Sequence, residues 1–203
     1  MKQRVTRELF DYWNTLRGRR RAPARADLDL PAIRNSLAST FILALDPDIG
    51  HPFRVAGTAI CEFFGRELTA TPFQHLWSQR DRAALADILA AVAEEADGIV
   101  ARVAGCNCDT EKVELEMVLL PLTDSGKEVT LVLGALATVP PPPYWLGTRS
   151  LQMLRLGDLR FTAAGREAVA APDFLSRRHS PLQGPGFVIY PAAMSGISRK
   201  NQG

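Results

Sequence analysis

The groups best suited to nucleophilic, metal-binding or acid–base chemistry in this 203-residue chain are few. They are Cys61, Cys106 and Cys108, His51, His75 and His179, and the alternating carboxylates Glu114 and Glu116. Cys106-x-Cys108, within "GCNC", could give two thiolates to a metal, but a closed zinc site takes four ligands. No second cysteine or histidine pair lies nearby, so these read as exposed turn cysteines, and Cys61 as a small buried helix residue. His51 follows a turn glycine and His179 lies in the tail, each without partners that would suggest a site. Glu114 and Glu116 alternate on one expected strand and Arg102 sits on the next, a pattern of cross-strand ion pairs on a solvated face. With no Ser/His/Asp grouping, paired-carboxylate signature or Walker loop in the sequence, the expectation is a protein that is not an enzyme.

Two further patterns invite a ligand. In "FRVAGTAICEFFGREL" (53–68), Gly57 and Gly65 are eight residues apart and bracket an apolar segment. That spacing does not fit a Gly-x-Gly-x-x-Gly nucleotide fingerprint, so both read as turn residues at a strand–helix corner and a helix end. "RGRRRAPAR" is the densest charge cluster, and Arg21 and Arg25 have an Arg-x-x-x-Arg spacing. It lacks interleaved aromatics and the body of the chain is acidic, which argues against nucleic acid. Arg17 and Arg25 are expected to pair with carboxylates such as Asp27 and Asp29.

The elements that must position these groups follow from periodicity and punctuation. Residues 5–17 form an amphipathic helix, with Val5, Leu9, Tyr12, Trp13 and Leu16 on one stripe and Gly18 as its stop. An Arg/Pro-rich connector follows, in which Asp29 and Pro31 can open a short helix. "FILALD" (41–46) and "FRVAG" (53–57) read as a hairpin across "PDIGHP". Thr58 is placed to cap the helix "AICEFFG", and Gly65 to end it. "DRAALADILAAVAEEAD" (81–97) is a helix with Leu85, Ile88, Leu89 and Val92 on one face and Gly98 at its end. Strands 99–106, 111–122 and 128–139 follow, joined by short turns. "PPPPYW" then punctuates the chain, and "LQMLRLGDLRF" can add a strand or a helix. This gives residues 1–40 as helix and connector, 41–147 as core, and 148–203 as a basic extension without regular structure beyond about residue 163. The order fits an α+β domain, a five-stranded antiparallel sheet with helices on one face.

Its N-terminal "DYW…RGRR…PARADLDLPAIR" and the following "FRVAGTAICEFFGRELTATPFQHLW" make the chain resemble a family of short bacterial PAS-domain proteins. Trp13, Arg17, Gly18, Pro23, Arg25, Asp27, Pro31, Gly57, Thr58, Phe64, Gly65, Arg66 and Leu68 take the places of that family's pattern, while Ala70 stands where it often has Gly. The resemblance covers roughly residues 8–147 and implies a PAS fold acting as a sensor or interaction module, without catalytic residues. It implies a ligand space between sheet and helices, walled by Phe64, Leu68, Leu76, Trp77, Leu85 and Leu89, suited to an apolar or aromatic small molecule. His75 lies next to the region from which some PAS domains ligate haem, but an exposed or hydrogen-bonded histidine is the favoured reading; the cofactor stays unknown. Gly105, Asn107 and Cys108 match half of the Gly-x-Asn-Cys-Arg-Phe-Leu-Gln motif of photosensing flavin PAS domains. "DTEK" follows where the motif continues, and the motif's place is before the long helix, so the match is one of chance.

Charge is segregated along the chain. Residues 1–25 carry eight Lys/Arg against two acids, residues 26–147 eight against seventeen, and residues 148–203 eight against three. The segments are thus +6, −9 and +5. The basic ends can fold back on the acidic body. The charged N-terminus lacks the apolar run of a signal peptide, and the longest apolar run, 129–139, is too short to span a membrane. A soluble, cytoplasmic protein is expected, with a protein partner or a second copy of itself in a homodimer, and the alternative is a structural dimerisation adaptor with no ligand. Because 129–139 is apolar on both faces, something must cover the outer sheet face. Helix 5–17, from its own chain or from a partner, is the candidate.

Overall fold

In the computed structural model, residues 1–107, 111–124, 128–162, 182–184 and 187–190 are described. The strands are β1 (Thr40–Ala44), β2 (Phe53–Ala56), β3 (Gly98–Cys106), β4 (Lys112–Thr123), β5 (Val129–Thr138), β6 (Met153–Thr162), β7 (Leu182–Gly184) and β8 (Phe187–Tyr190). The α-helices are α1 (Arg4–Arg17), α2 (Thr58–Phe64) and α3 (Arg82–Glu95). Strand order is β2-β1-β5-β4-β3-β6-β8-β7, and every pair is antiparallel. The first five positions are the sheet expected from the sequence.

The sheet is apolar on both faces because β4 and β5 are apolar at nearly every position. Their odd-and-even alternation feeds two separate cores. Val113, Leu115, Met117, Leu119, Val132 and Leu136 face α2, α3 and the 3-10 turn Phe73–Leu76. Val118, Leu120, Leu122, Leu131, Leu133 and Ala135 face the other way, onto Leu9 and Trp13 of α1. The fold is therefore three layers: helices, sheet, and the N-terminal helix. α1 ends where Gly18 turns at φ 54° and its N–H reaches Asn14 O. After α1 the connector wraps the end of the sheet, with Thr123 N donating to Pro23 O at 3.0 Å and a 3-10 turn at Leu30–Ile33.

Several local expectations change. Thr58 is the first residue of α2, not its cap; Gly57 holds the cap position, without a side-chain hydrogen bond. Gly57 is required for another reason, since a Cβ there would overlap the carbonyls of Leu37 and Ala38. α3 stops at Glu95 because Ala96 takes the left-handed conformation (φ 55°), and Gly98 opens β3 instead of ending the helix. The sheet also runs past residue 147: β6 pairs with β3 from Gly98↔Thr162 to Cys106↔Met153. Backbone and side-chain bonds tie β6 to the loop before α3, from Ser78 N to Leu154 O (2.9 Å) and from Leu156 N to the Asp81 carboxylate (3.2 Å). Most of the stretch beyond residue 163 lies outside the described residues, as does Cys108; within that stretch β8 pairs with β6 and β7 with β8.

Candidate functional site

The inner core is where the sequence places a ligand. α2 brings Ile60 and Phe64 to one side at i, i+4. The 3-10 turn has a three-residue repeat, so Phe73 and Leu76 share its inner face while His75 falls on the outer one. α3 contributes Leu85, Ile88, Leu89 and Val92 at helical spacing. Phe64, Leu68, Leu76, Trp77, Leu85 and Leu89 all end up buried in one cluster. His75 is exposed and does not join them; the tight turn that buries its neighbours turns it outward.

Side chains fill the middle of this space. Phe41 and Phe53, from the sheet, and Phe73 form a mutual triangle with ring centroids 5.5–5.7 Å apart, and Trp77 stacks edge-on to Phe73 at 5.6 Å. Edge-to-face packing of this kind adds to the burial of each ring. The Phe41 ring lies against the α-carbon of Gly134, where any Cβ would collide with it. Trp145 and Leu151, from beyond the last core strand, complete the cluster. The sequence reading missed Phe41, Phe53 and Phe73, although each opens or closes a strand-like or Pro-led segment. The Trp77 indole N–H is buried with no acceptor among the described residues.

The outer core holds the expected interface residues. Leu9 and Trp13 are fully buried, Val5 and Tyr12 pack at the margin of the cluster, and Leu16 is half-buried. Trp13 also donates from Nε1 to Pro121 O at 2.8 Å, and the Arg17 guanidinium lies over its ring at 4.9 Å. Arg17 donates to Asn14 Oδ1 at 3.2 Å. Asp27 pairs with Arg20 at 2.6 Å, not with Arg17 or Arg25, because it caps the short turn at Ala24 and only Arg20 reaches back to it.

Glu116 departs furthest from expectation. It stands directly opposite Arg102, yet it is 5% exposed and its carboxylate is spent on the start of α1. It accepts from Lys2 N (3.0 and 2.8 Å), Gln3 N (3.0 Å) and the Thr6 hydroxyl. Burial pushes its carboxyl pKa up, but the Thr6 hydroxyl and the two amides outweigh it and hold the group below its ordinary value. An acid there satisfies orphan N–H groups and opposes the helix dipole.

His51 is buried too, at 5% exposure, in the turn between β1 and β2. That turn is stitched to the Phe73–Leu76 segment by Phe73 N to His51 O and Gln74 N to Gly50 O, both 3.2 Å. Burial pushes its imidazole pKa down, against the opposing pull of Asp46. Both ring nitrogens are buried with no hydrogen-bond partner among the described residues. Cys106 is buried, not exposed, because β3 continues through it and β6 covers its edge. Cys61 is only half-buried, with its thiol 3.7 Å from Glu67. Among the described residues no group of three or more His, Cys, Asp or Glu is placed to hold a metal, and no helix is long and apolar enough to cross a membrane.

Residues 1–137, which build most of this two-sided sheet with its inner helices and outer helix, match a family model described as a PAS domain. The chain belongs to the PAS domain family. A solved structure from work on a flavin analogue in a light-oxygen-voltage domain is similar at 16% identity and a TM-score of 0.43, covering 55% of this chain and 84% of that one. Comparison with curated proteins finds no match. Membership of the PAS family makes the chain a sensory or signalling module in general terms.

Proposed function

We propose that this PAS domain is a non-catalytic, cytoplasmic signalling module of the short bacterial kind, which acts through protein contacts and not through turnover of a substrate. The observation that carries the reading is the inner core. The space between sheet and helices is occupied by the chain's own rings, Phe41, Phe53, Phe73 and Trp77, at packing distances. A protein whose interior is filled this way has its surface left for communication. The Trp-helix, Arg–Gly turn and Pro-x-Arg segment give it a second, solvent-facing layer through which a partner, or a second copy, can be engaged.

A second reading has one observation in its favour. The buried Trp77 N–H lacks an acceptor among the described residues, and an apolar molecule carrying a single carbonyl would supply one. Native mass spectrometry and an absorption spectrum of the purified protein, with thermal melts against a panel of apolar carbonyl compounds, separate the two. The protein-contact reading expects a bare polypeptide mass and no rise in melting temperature. A co-purifying small molecule, or a saturable rise lost in Trp77→Phe, moves the function to small-molecule sensing.

A further inference from the structure

We propose that the proline ridge Pro141–Tyr144 is a docking motif for a partner domain that presents a groove lined with aromatic rings. The inference rests on the reading that this module signals through protein contacts, and it names one of them. The ridge is held rigidly at both ends. On one side Val139 N donates to Glu114 O at 2.8 Å, closing the end of β5. On the other, Trp145 is buried in the inner core. Its carbonyl receives the amides of Thr148 (3.1 Å) and Arg149 (3.0 Å), and Leu151 N bonds Phe63 O at 2.6 Å.

Between these anchors the chain turns outward. Pro140, Pro141 and Pro142 are exposed, and Tyr144 is 94% exposed, against 55% for the next most exposed large apolar side chain described, Ile49. A fold that buries Trp145 and thrusts out the adjoining tyrosine leaves an aromatic ring standing on a fixed base. A lone exposed aromatic needs no explanation; one that ends a run of four prolines has a specific chemistry. Each ring fixes φ, and each residue that precedes a proline is pushed towards extended ψ. Pro141 and Pro142, which follow a cis Pro140–Pro141 peptide bond, are therefore biased towards the extended conformation that aromatic-lined grooves accept, which lowers the ordering cost of binding. The run offers carbonyl oxygens and no N–H. A partner that recognises it must stack on proline rings, donate hydrogen bonds to carbonyls, and take the Tyr144 ring and hydroxyl at one end. That requirement selects a protein groove over an anionic surface or a nucleic acid.

The test uses the full chain and a purified WW domain as the aromatic-groove probe, with binding followed by isothermal titration. Saturable binding is expected, weakened about tenfold or more in Tyr144→Ala and also weakened in Pro142→Ala. Both variants should melt like the wild type, since both side chains are exposed. The proposal is overturned by no saturable heat, or by binding that survives Tyr144→Ala. It is equally overturned if light scattering shows a dimer that Tyr144→Ala dissociates, because the ridge would then serve a second copy. A small molecule found by native mass spectrometry would remove the protein-contact reading while leaving this titration intact, so the two failures are distinguishable.

Discussion

Glu116 illustrates how a residue's meaning depends on what arrives above it. Strand alternation puts it opposite Arg102, and from the sequence a cross-strand pair is the natural inference. No spacing rule foretells that the N-terminus of a helix over a hundred residues away will land on that carboxylate. Glu116→Gln keeps the volume but replaces a charged acceptor, and should cost about 1–3 kcal/mol in chemical denaturation. The pH dependence has a definite sign. Its folded pKa is depressed, so its stabilisation is complete above the unfolded carboxylate value, about 4.3, and is lost as pH falls through the folded value. His51 acts higher. Its folded pKa is also depressed, so the unfolded chain takes up the proton first, and stability begins to fall as pH drops below about 6.5. His51 sits at φ 58°, which Asn tolerates, so His51→Asn should flatten the stability loss between pH 7.5 and 5.5 relative to wild type. Glu116→Gln should leave that upper step and remove part of the lower one. Ala70 is a third case. It stands where the family pattern often has Gly, a departure that left the turn geometry open from the sequence, and the structure holds it at φ 65°. Ala70→Gly should raise stability by roughly 0.5–1 kcal/mol, since relief of left-handed strain exceeds the added freedom of the unfolded chain; a lower urea midpoint would contradict it.

At the scale of elements, periodicity carried most of the information. α1, α3 and the strands through β5 were legible because each writes its buried face into a 3.6- or 2-residue repeat. The excess of apolar residues in 129–139 pointed to a covering layer, and α1 lies there. The ends of elements were less legible. Ala96 and Gly57 act through backbone conformation and close approach, which composition does not encode. β6 was ambiguous for a related reason. "LQMLRLGDLRF" has a mixed pattern because, among its described side chains, Leu151, Leu154 and Leu159 are buried in the inner core while Gln152, Met153, Arg155 and Asp158 are not. What makes it a strand is the free edge of β3. The weight resting on α1 is testable through Trp13, which is fully buried and bonded to Pro121 O. Trp13→Ala should cost roughly 3–5 kcal/mol in chemical denaturation, from lost burial and a stranded carbonyl. An unchanged midpoint would mean that α1 contributes no packing to the outer face.

For the whole molecule, the question is where the folding unit ends. The family match stops at residue 137 and the sequence placed the core boundary at 147, yet the physical unit extends further. Trp145, Leu151, Leu154 and Leu159 are all part of the inner core. The Asp81 carboxylate, which accepts from Ser78 Oγ at 2.8 Å as well as from Leu156 N, anchors the start of α3 to β6. Removal of residues 148–203 therefore strips a whole paired strand from β3, bares the Ile99–Val103 edge and leaves Asp81 without its Leu156 partner. Removal of residues 163–203 alone takes away the short strands β7 and β8, of three and four residues, and leaves every one of those inner-core residues in place. The two truncations should behave very differently. The longer cut should lower the melting temperature by well over ten degrees or prevent folding, since several buried leucines at about 2–5 kcal/mol each exceed the margin of a domain this size. The shorter cut should leave the melting temperature essentially unchanged. Circular-dichroism melts of the two truncated proteins beside the full chain decide it. Equal melting temperatures for the 147 and 162 truncations would show that β6 only decorates the edge, whereas a large loss in the 162 truncation would make Phe187–Tyr190 part of the folding unit.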